Sequence, residues 1–365
     1  SEEKKGVRPG HQLLLHTALH VPWGDLADRF GPANTVGIGW RRTAASGWRY
    51  GVQYRFQTGA DVREPGLLSN LIDPNGHVID NEGRIALLTA QWADLPFTTV
   101  CELASKWGYD GLEIACWGDH FDIHRAVNEP GYVEDRKEIL ASYNLKAWAL
   151  ANHLVGQAVC DNPIDERHQG ILPERLWGDG EAEGVRQRAA EEMKDAARAA
   201  AKMGIPTVVG FTGSSIWHTV AMFPPVPAEM IERGYQDFAD RWNPILDVFD
   251  EEGVRFAHEV HPSEIAYDYW TTKRSLEAIG HRPAFGLNFD PSHFMWQDLD
   301  PVGFLWDFQD RIYHVHLKES RKQLDGRNGR LGSHLPWADP RRGWDFVSTG
   351  HGDVPWESIF RMLNF

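Results

Sequence analysis

From Gly83 onward the chain alternates short apolar runs with longer amphipathic stretches of helical period. The apolar runs are Ile85–Thr89, Leu112–Cys116, Lys146–Ala151, Thr207–Phe211, Arg255–Val260, Phe285–Asp290 and Ile312–Leu317. Each has the length of a strand, and the segments between them are too long for hairpins, which predicts βαβ units on a parallel sheet. The predicted helices include Phe97–Trp107, Val185–Met203, Tyr235–Glu252 and Thr272–Ile279, and the run Ala196-Ala197-Arg198-Ala199-Ala200-Ala201 has the strongest helix propensity. Gly108, Gly204 and Gly253 each fall just past a helix and just before a strand, where a left-handed cap costs glycine least. One helix–Gly–strand device used three times implies a regularly wound α/β fold.

Residues 1–83 read differently. Trp48, Tyr50, Val52, Tyr54 and Phe56 alternate with Arg49, Gly51, Gln53, Arg55 and Gln57, the period of a strand with one apolar face. Thr35–Thr43 is its expected hairpin partner across Ala44–Gly47. Such aromatic-rich alternation also resembles a strand pair of a bacterial outer-membrane barrel; an ordinary exposed hairpin is the plainer reading. The turn residues of Asp73-Pro74-Asn75-Gly76 and Asn81-Glu82-Gly83 mark a boundary, so the expected organisation is an extension over 1–83 and an α/β domain over 84–365.

An open doubly wound sheet and a closed barrel both use βαβ units. No Gly-x-Gly-x-x-Gly follows the first strand, so the dinucleotide fingerprint of the open sheet is missing. Polar residues instead gather at the C-terminal ends of successive strands: Glu113 and Trp117, Asn152 and His153, Glu259 and His261, Asp290 and His293, then His314, His316, Lys318 and Glu319. In a barrel those ends meet at one mouth. Carboxylates and imidazoles without thiolates suit a divalent ion of intermediate hardness, such as Mn, Co, Mg or Zn.

Charge and composition narrow the function. Among 365 residues, 52 are acidic and 37 basic, a net charge of −15 that disfavours a phosphate-neutralising surface, so nucleic acid is not an expected partner. Three cysteines without Cys-x-x-Cys spacing suggest neither disulfides nor a thiolate metal site. With no long apolar span and no basic-then-apolar start, the sequence reads as cytoplasmic, without a membrane partner. Sixteen Trp and 17 His exceed what a core needs, and Trp117, Trp217, His218, Trp296 and Trp337 near strand ends suggest pocket walls with a hydrogen-bonding edge.

Four motifs occur in order on these strands: Trp107-Gly108-Tyr109-Asp110-Gly111-Leu112-Glu113-Ile114, His258-Glu259-Val260-His261-Pro262, Asn288-Phe289-Asp290-Pro291-Ser292-His293 and His314-Val315-His316-Leu317-Lys318-Glu319. Together they resemble the sugar phosphate isomerase/epimerase family, the xylose isomerase-like TIM barrels, which include ketose 3-epimerases and, more distantly, AP endonucleases. The resemblance implies a (β/α)8 TIM barrel from about Ile85 onward. It implies Glu259, Asp290 and His316 as ligands of a divalent metal ion, with Glu259 also the catalytic base. His293 would lie beside the metal and touch substrate. His153, His261 and Lys318 would be further substrate contacts, and Glu113 and Trp117 would line the pocket. Taken singly, His153, His261 and His314 fit a hydrogen-bonded wall equally well.

Relatives also carry a glutamate on an eighth strand, after a helix like Pro355–Phe365, as fourth ligand and second base. Neither Glu357 nor Asp353 stands at that place, and the sequence stops at Phe365. The expectation is therefore a C-terminally incomplete barrel of seven strands, with weakened metal binding and reduced or absent activity. The implied function is a metal-dependent sugar isomerase or epimerase working through an enediolate on a small-molecule sugar, compatible with a homo-oligomer. A keto-sugar or inosose lyase or dehydratase, an AP endonuclease-like repair enzyme and an inactive barrel remnant are the alternatives. The helix-start glycine loop that would bind a phosphate is not evident, so a phosphorylated substrate is not assumed.

Overall fold

The computed structural model describes residues 10–20, 33–43, 49–58, 85–221 and 223–363. The chain divides into two compact units, Ser1–Gly83 and Arg84–Phe365.

In the first unit, β1 (Gly10–His20), β2 (Ala33–Thr43) and β3 (Arg49–Thr58) form an antiparallel sheet in the order β1-β2-β3. The expected hairpin is present, with Val36 opposite Phe56, Ile38 opposite Tyr54 and Trp40 opposite Val52. Trp48 and the connecting turn lie outside the described residues. The third strand, β1, escaped the alternation argument because Leu13-Leu14-Leu15 interrupts its period.

In the second unit, the seven predicted strands all form: β4 (Ala86–Leu88), β5 (Gly111–Ala115), β6 (Lys146–Ala151), β7 (Thr207–Gly210), β8 (Arg255–Glu259), β9 (Phe285–Phe289) and β10 (Ile312–Val315). They pair in parallel and in chain order from β4 to β10. That order belongs to a singly wound barrel, since a doubly wound sheet reverses direction at a switch point. The sheet curls strongly enough that Glu113 of β5 meets His314 of β10 although β6, β7, β8 and β9 separate them in the pairing order. Among the described residues β4 and β10 are the two edges, which makes this a singly wound barrel sheet with one strand fewer than eight.

The strands β5, β7 and β9 are buried along their whole length, as parallel strands covered by helices must be. The covering helices are α1 (Phe97–Trp107), α2 (Tyr132–Ser142), α3 (Ala182–Met203), α4 (Ala228–Glu252), α5 (Tyr269–Ala278), α6 (Pro301–Phe308) and α7 (Trp356–Leu363). From α4, Trp242 packs on Phe256 with ring centroids 4.5 Å apart, and Phe238 meets Phe285 at 6.0 Å. The small side chains of α3, buried at Ala196, Ala197, Ala199 and Ala200, bring that helix close to the strands. Gly108, Gly204 and Gly253 cap α1, α3 and α4 at φ 86°, 74° and 66°, the left-handed conformation expected of them.

Two short strands, β11 (Glu319–Lys322) and β12 (Trp344–Val347), form an antiparallel pair directly after β10. No helix among the described residues is long and apolar enough to cross a membrane.

Candidate active site and metal centre

Parallel strands end their ladders at the same face, so the residues at or just past their C-termini share one mouth. Glu259 is the last residue of β8, Asp290 follows β9 directly, and His316 follows β10 with its N–H still donating to the Phe289 carbonyl at 2.9 Å. Glu113 sits centrally in β5, and His153 opens a short helix after β6. These placements explain why residues scattered over 200 positions meet.

Glu259 is the hub. Its Oε2 is 3.0 Å from His153 Nε2 and 3.2 Å from His316 Nδ1, and accepts from Asn288 Nδ2 at 3.2 Å. Its Oε1 lies 3.2 Å from His293 Nε2. That same nitrogen is 3.2 Å from Asp290 Oδ2 and 2.9 Å from Lys318 Nζ, which in turn stands 3.1 Å from Asp290. The other Asp290 oxygen accepts from the Ser292 N–H and hydroxyl at 2.9 and 2.6 Å, which fixes the carboxylate plane. Glu113 Oε2 lies 2.8 Å from His314 Nε2 and 2.9 Å from His316 Nε2. The His316 ring thus stands between the Glu113 and Glu259 carboxylates.

Burial alone would favour neutral acids here, but the hydrogen bonds and charges of their partners outweigh it. Desolvation raises Glu259, yet hydrogen bonds from His153, His293 and His316 hold it well below the carboxylate range. Asp290 is likewise lowered against its burial by His293 and Lys318, and Glu113 by His316 and His314. His316 is the complement: burial pushes it down, and the two glutamates raise it well above an ordinary histidine. His261, whose ring is 4.1 Å from that of His293, is pushed well down by burial and by that neighbour's charge.

Of the residues read from the sequence, Glu113, His153, Glu259, His261, Asp290, His293, His316 and Lys318 come together. Trp117 is half-buried two residues beyond β5 and makes none of the contacts above. Two close three-residue groups of metal-type donors emerge, Glu259–Asp290–His293 and Glu113–His314–His316, each with its ligand atoms within 4.8 Å of one another. His316, expected beside Glu259 and Asp290, touches Glu259 but falls in the second group.

The donor set fits a divalent ion. Glu113 Oε1 is buried without a hydrogen-bond partner, an arrangement a cation would relieve, while Asp290 Oδ2 is paired with the His293 and Lys318 nitrogens at 3.2 and 3.1 Å.

Sequence reasoning missed Asn288, which bridges Glu259 and His316 (Nδ2 3.0 Å from Nδ1), although it lies inside a quoted motif two residues before Asp290. It also missed Phe346 on β12, whose ring lies 5.6 Å from that of His293 and 4.3 Å from Lys318 Nζ. Trp337 continues this wall at 5.1 Å from Phe346, while Trp296 stacks on Trp344 at 4.7 Å. Trp217 belongs elsewhere: it lines a pocket of about 210 Å³ with Glu264, Tyr267, Trp270 and Arg274. Glu319 is a strut, accepting from the N–H groups of Gly350 (2.9 Å) and Val354 (2.8 Å) and from the Trp356 indole (2.7 Å). It ties the Gly350–Asp353 loop and the start of α7 to β11.

The chain belongs to the xylose isomerase-like TIM barrel family, which matches residues 101–365. It is 25% identical over 306 residues, 77% of its own length and 90% of the relative's, to the uncharacterized protein YfiH of Bacillus subtilis. Over a shorter stretch of 133 residues, 36% of this chain and 44% of the relative, it is 23% identical to an inosose dehydratase of Clostridium perfringens. The crystal structure of the IOLI protein with a bound zinc atom superposes with a TM-score of 0.51 at 18% identity, covering 77% of this chain and 84% of that one.

Proposed function

We propose that this protein is a metal-dependent sugar isomerase or epimerase that removes a proton next to a carbonyl with a carboxylate and proceeds through an enediolate. The observation that carries the reading is the Glu259 hub: an ionised, buried carboxylate ringed by His153, His293 and His316, beside the buried Asp290 carboxylate. Glu259 and Asp290, with His293, would hold the ion. Such an ion supplies polarisation of the carbonyl and hydroxyl oxygens of a bound sugar. Dependence on a metal is supported by the donor set and by the zinc found with the IOLI protein.

The chain's own groups do the remaining work. Glu259 Oε1 takes the proton from carbon and, now an acid, returns it to the neighbouring carbon of the enediolate in an isomerisation, while its partners His153 and Asn288 hold the carboxyl in one orientation through Oε2. Lys318, the least buried member of the cluster at 40% side-chain exposure, is placed to reach a substrate hydroxyl from the open side. Phe346 and Trp337 supply an aromatic face against which a sugar ring can pack.

A second reading, dehydration of a keto-sugar or inosose, shares the same first step and is favoured by the inosose dehydratase similarity. There the departing hydroxyl needs a proton, and Lys318, on the open side of the cluster, would supply it. Incubating the Mn-loaded protein with ketoses, inososes and 3-keto-glycosides separates the two, because one yields an isomeric sugar and the other loses water. Glu259→Gln is expected to bind substrate and lose turnover by about 10²-fold or more. Turnover retained in that variant overturns the assignment of the base.

A further inference from the structure

We infer that the barrel holds a second divalent transition-metal ion at Glu113, His314 and His316, separate from the one assigned to Glu259 and Asp290. His314 and His316 are two apart at the end of β10, so both imidazoles leave the strand on one face. Glu113 reaches them from β5. The two Nε2 atoms converge on one oxygen of Glu113 at 2.8 and 2.9 Å, and the rings stand almost perpendicular, at 88° with centroids 5.4 Å apart. All three donor atoms lie within 4.8 Å of one another.

Hydrogen bonds alone account for only half of Glu113. The residue is 2% exposed, and its Oε1 is buried with no partner. A buried carboxylate oxygen left unpaired is costly, and a cation held by both Glu113 oxygens together with the two imidazoles would satisfy it. Two imidazoles and one carboxylate form a three-ligand set with open positions, suited to Zn, Fe, Co or Mn in the divalent state rather than to Mg or Ca, which prefer oxygen. The side chains of His314 and His316 keep 18% and 11% of their surface exposed, which leaves a path by which an ion can enter.

The two groups adjoin through one ring, because His316 Nδ1 is 3.2 Å from Glu259 while its Nε2 faces Glu113. Occupation of both would make a two-metal centre, in which the second ion would supply further Lewis-acid polarisation of substrate oxygens. That catalytic role rests on the function proposed above; the ion's binding does not.

The test is metal content. Wild type, Glu113→Gln, His314→Gln and Asp290→Asn are stripped with chelator, equilibrated with excess Zn, freed of unbound metal and read by elemental analysis, with circular dichroism checking the fold. The inference expects two ions per wild-type chain and one in each variant. Titration with Co should show two d–d absorption signatures, of which His314→Gln removes one. One ion in wild type that survives His314→Gln and disappears in Asp290→Asn overturns the second site and leaves the first. One ion that shows the reverse pattern overturns the first site and leaves the second. Two ions in wild type that survive both Glu113→Gln and His314→Gln also overturn it, as does a wild type that binds none.

Discussion

Glu264 allows a physical test that needs no substrate. It lies on the loop after β8, is 1% exposed, and accepts through Oε2 from the N–H groups of Thr212 and Gly213 at 2.8 and 2.7 Å. Burial, assisted by the nearby charge of Asp161 and opposed by those hydrogen bonds, pushes its carboxyl up from 4.5 to about 8. A group whose pKa is raised on folding is held more protonated in the native state than in the unfolded one. Its contribution to stability is therefore complete below about pH 4.5 and is lost as pH rises through about 8. The gap between those values sets an upper limit of roughly 5 kcal/mol for the loss. Gln at this position keeps the carbonyl that accepts from Thr212 and Gly213 and never ionises. Urea unfolding of wild type and Glu264→Gln, both with chelator present, should show the wild type weakening relative to the variant from pH 5 to pH 8. At pH 8 the variant should be the more stable by about 2 kcal/mol or more. Parallel pH profiles, or a variant less stable at pH 8, would refute the reasoning, because the charged carboxylate would then cost nothing where it is.

Two further outcomes follow from the site and its supports. A Cβ added at Gly352 would sit 2.3 Å from the Ser320 carbonyl oxygen and 2.5 Å from Glu319 Oε1, so Gly352→Ala should cost about 1–3 kcal/mol and loosen the loop that Glu319 ties down. Gly350 stands at φ 85°, so Gly350→Ala should cost about 1–2 kcal/mol through backbone strain although space around the new methyl is open, and an unchanged denaturant midpoint would contradict that reading. Loading with Mn at about 100 times its dissociation constant should add about 2.7 kcal/mol of stability, and chelator should remove it; a melting temperature indifferent to both would count against any ion at the mouth.

The barrel was legible because its signals are local. A strand covered on both faces is a short apolar run wherever it occurs, and a left-handed cap wants glycine whatever the tertiary context, so β4 to β10 and the caps at Gly108, Gly204 and Gly253 could be read directly. Strand ends were observed somewhat earlier than expected, as at Val315 instead of Leu317, because the last residues of those runs turn into the mouth. Elements whose pattern is weak were not legible. The helix α2 mixes buried Tyr132 and Val133 with many charges, and the strand β12 is only Trp344-Asp345-Phe346-Val347. The candidate residues were found because strand ends in a barrel point one way. How they group was not, since the approach of Glu113 to His314 depends on the curl of the whole sheet. Glu319 shows the converse limit: it sits in a motif of polar strand-end residues, yet its oxygens are fully occupied by Gly350, Val354 and Trp356. Similarly, nothing in the local sequence marks Glu264 as buried.

The central claim is that Glu259 removes a proton from carbon, and exchange with solvent reads that step without knowledge of the final product. Metal-loaded protein is incubated in D₂O with the same ketoses, inososes and 3-keto-glycosides, and deuterium at the carbon next to the carbonyl is followed by NMR. The account predicts enzyme-dependent incorporation at one such position for at least one of these compounds, lost in Glu259→Gln and on removal of the metal. Incorporation that persists undiminished in Glu259→Gln, or none with any of them, would contradict it.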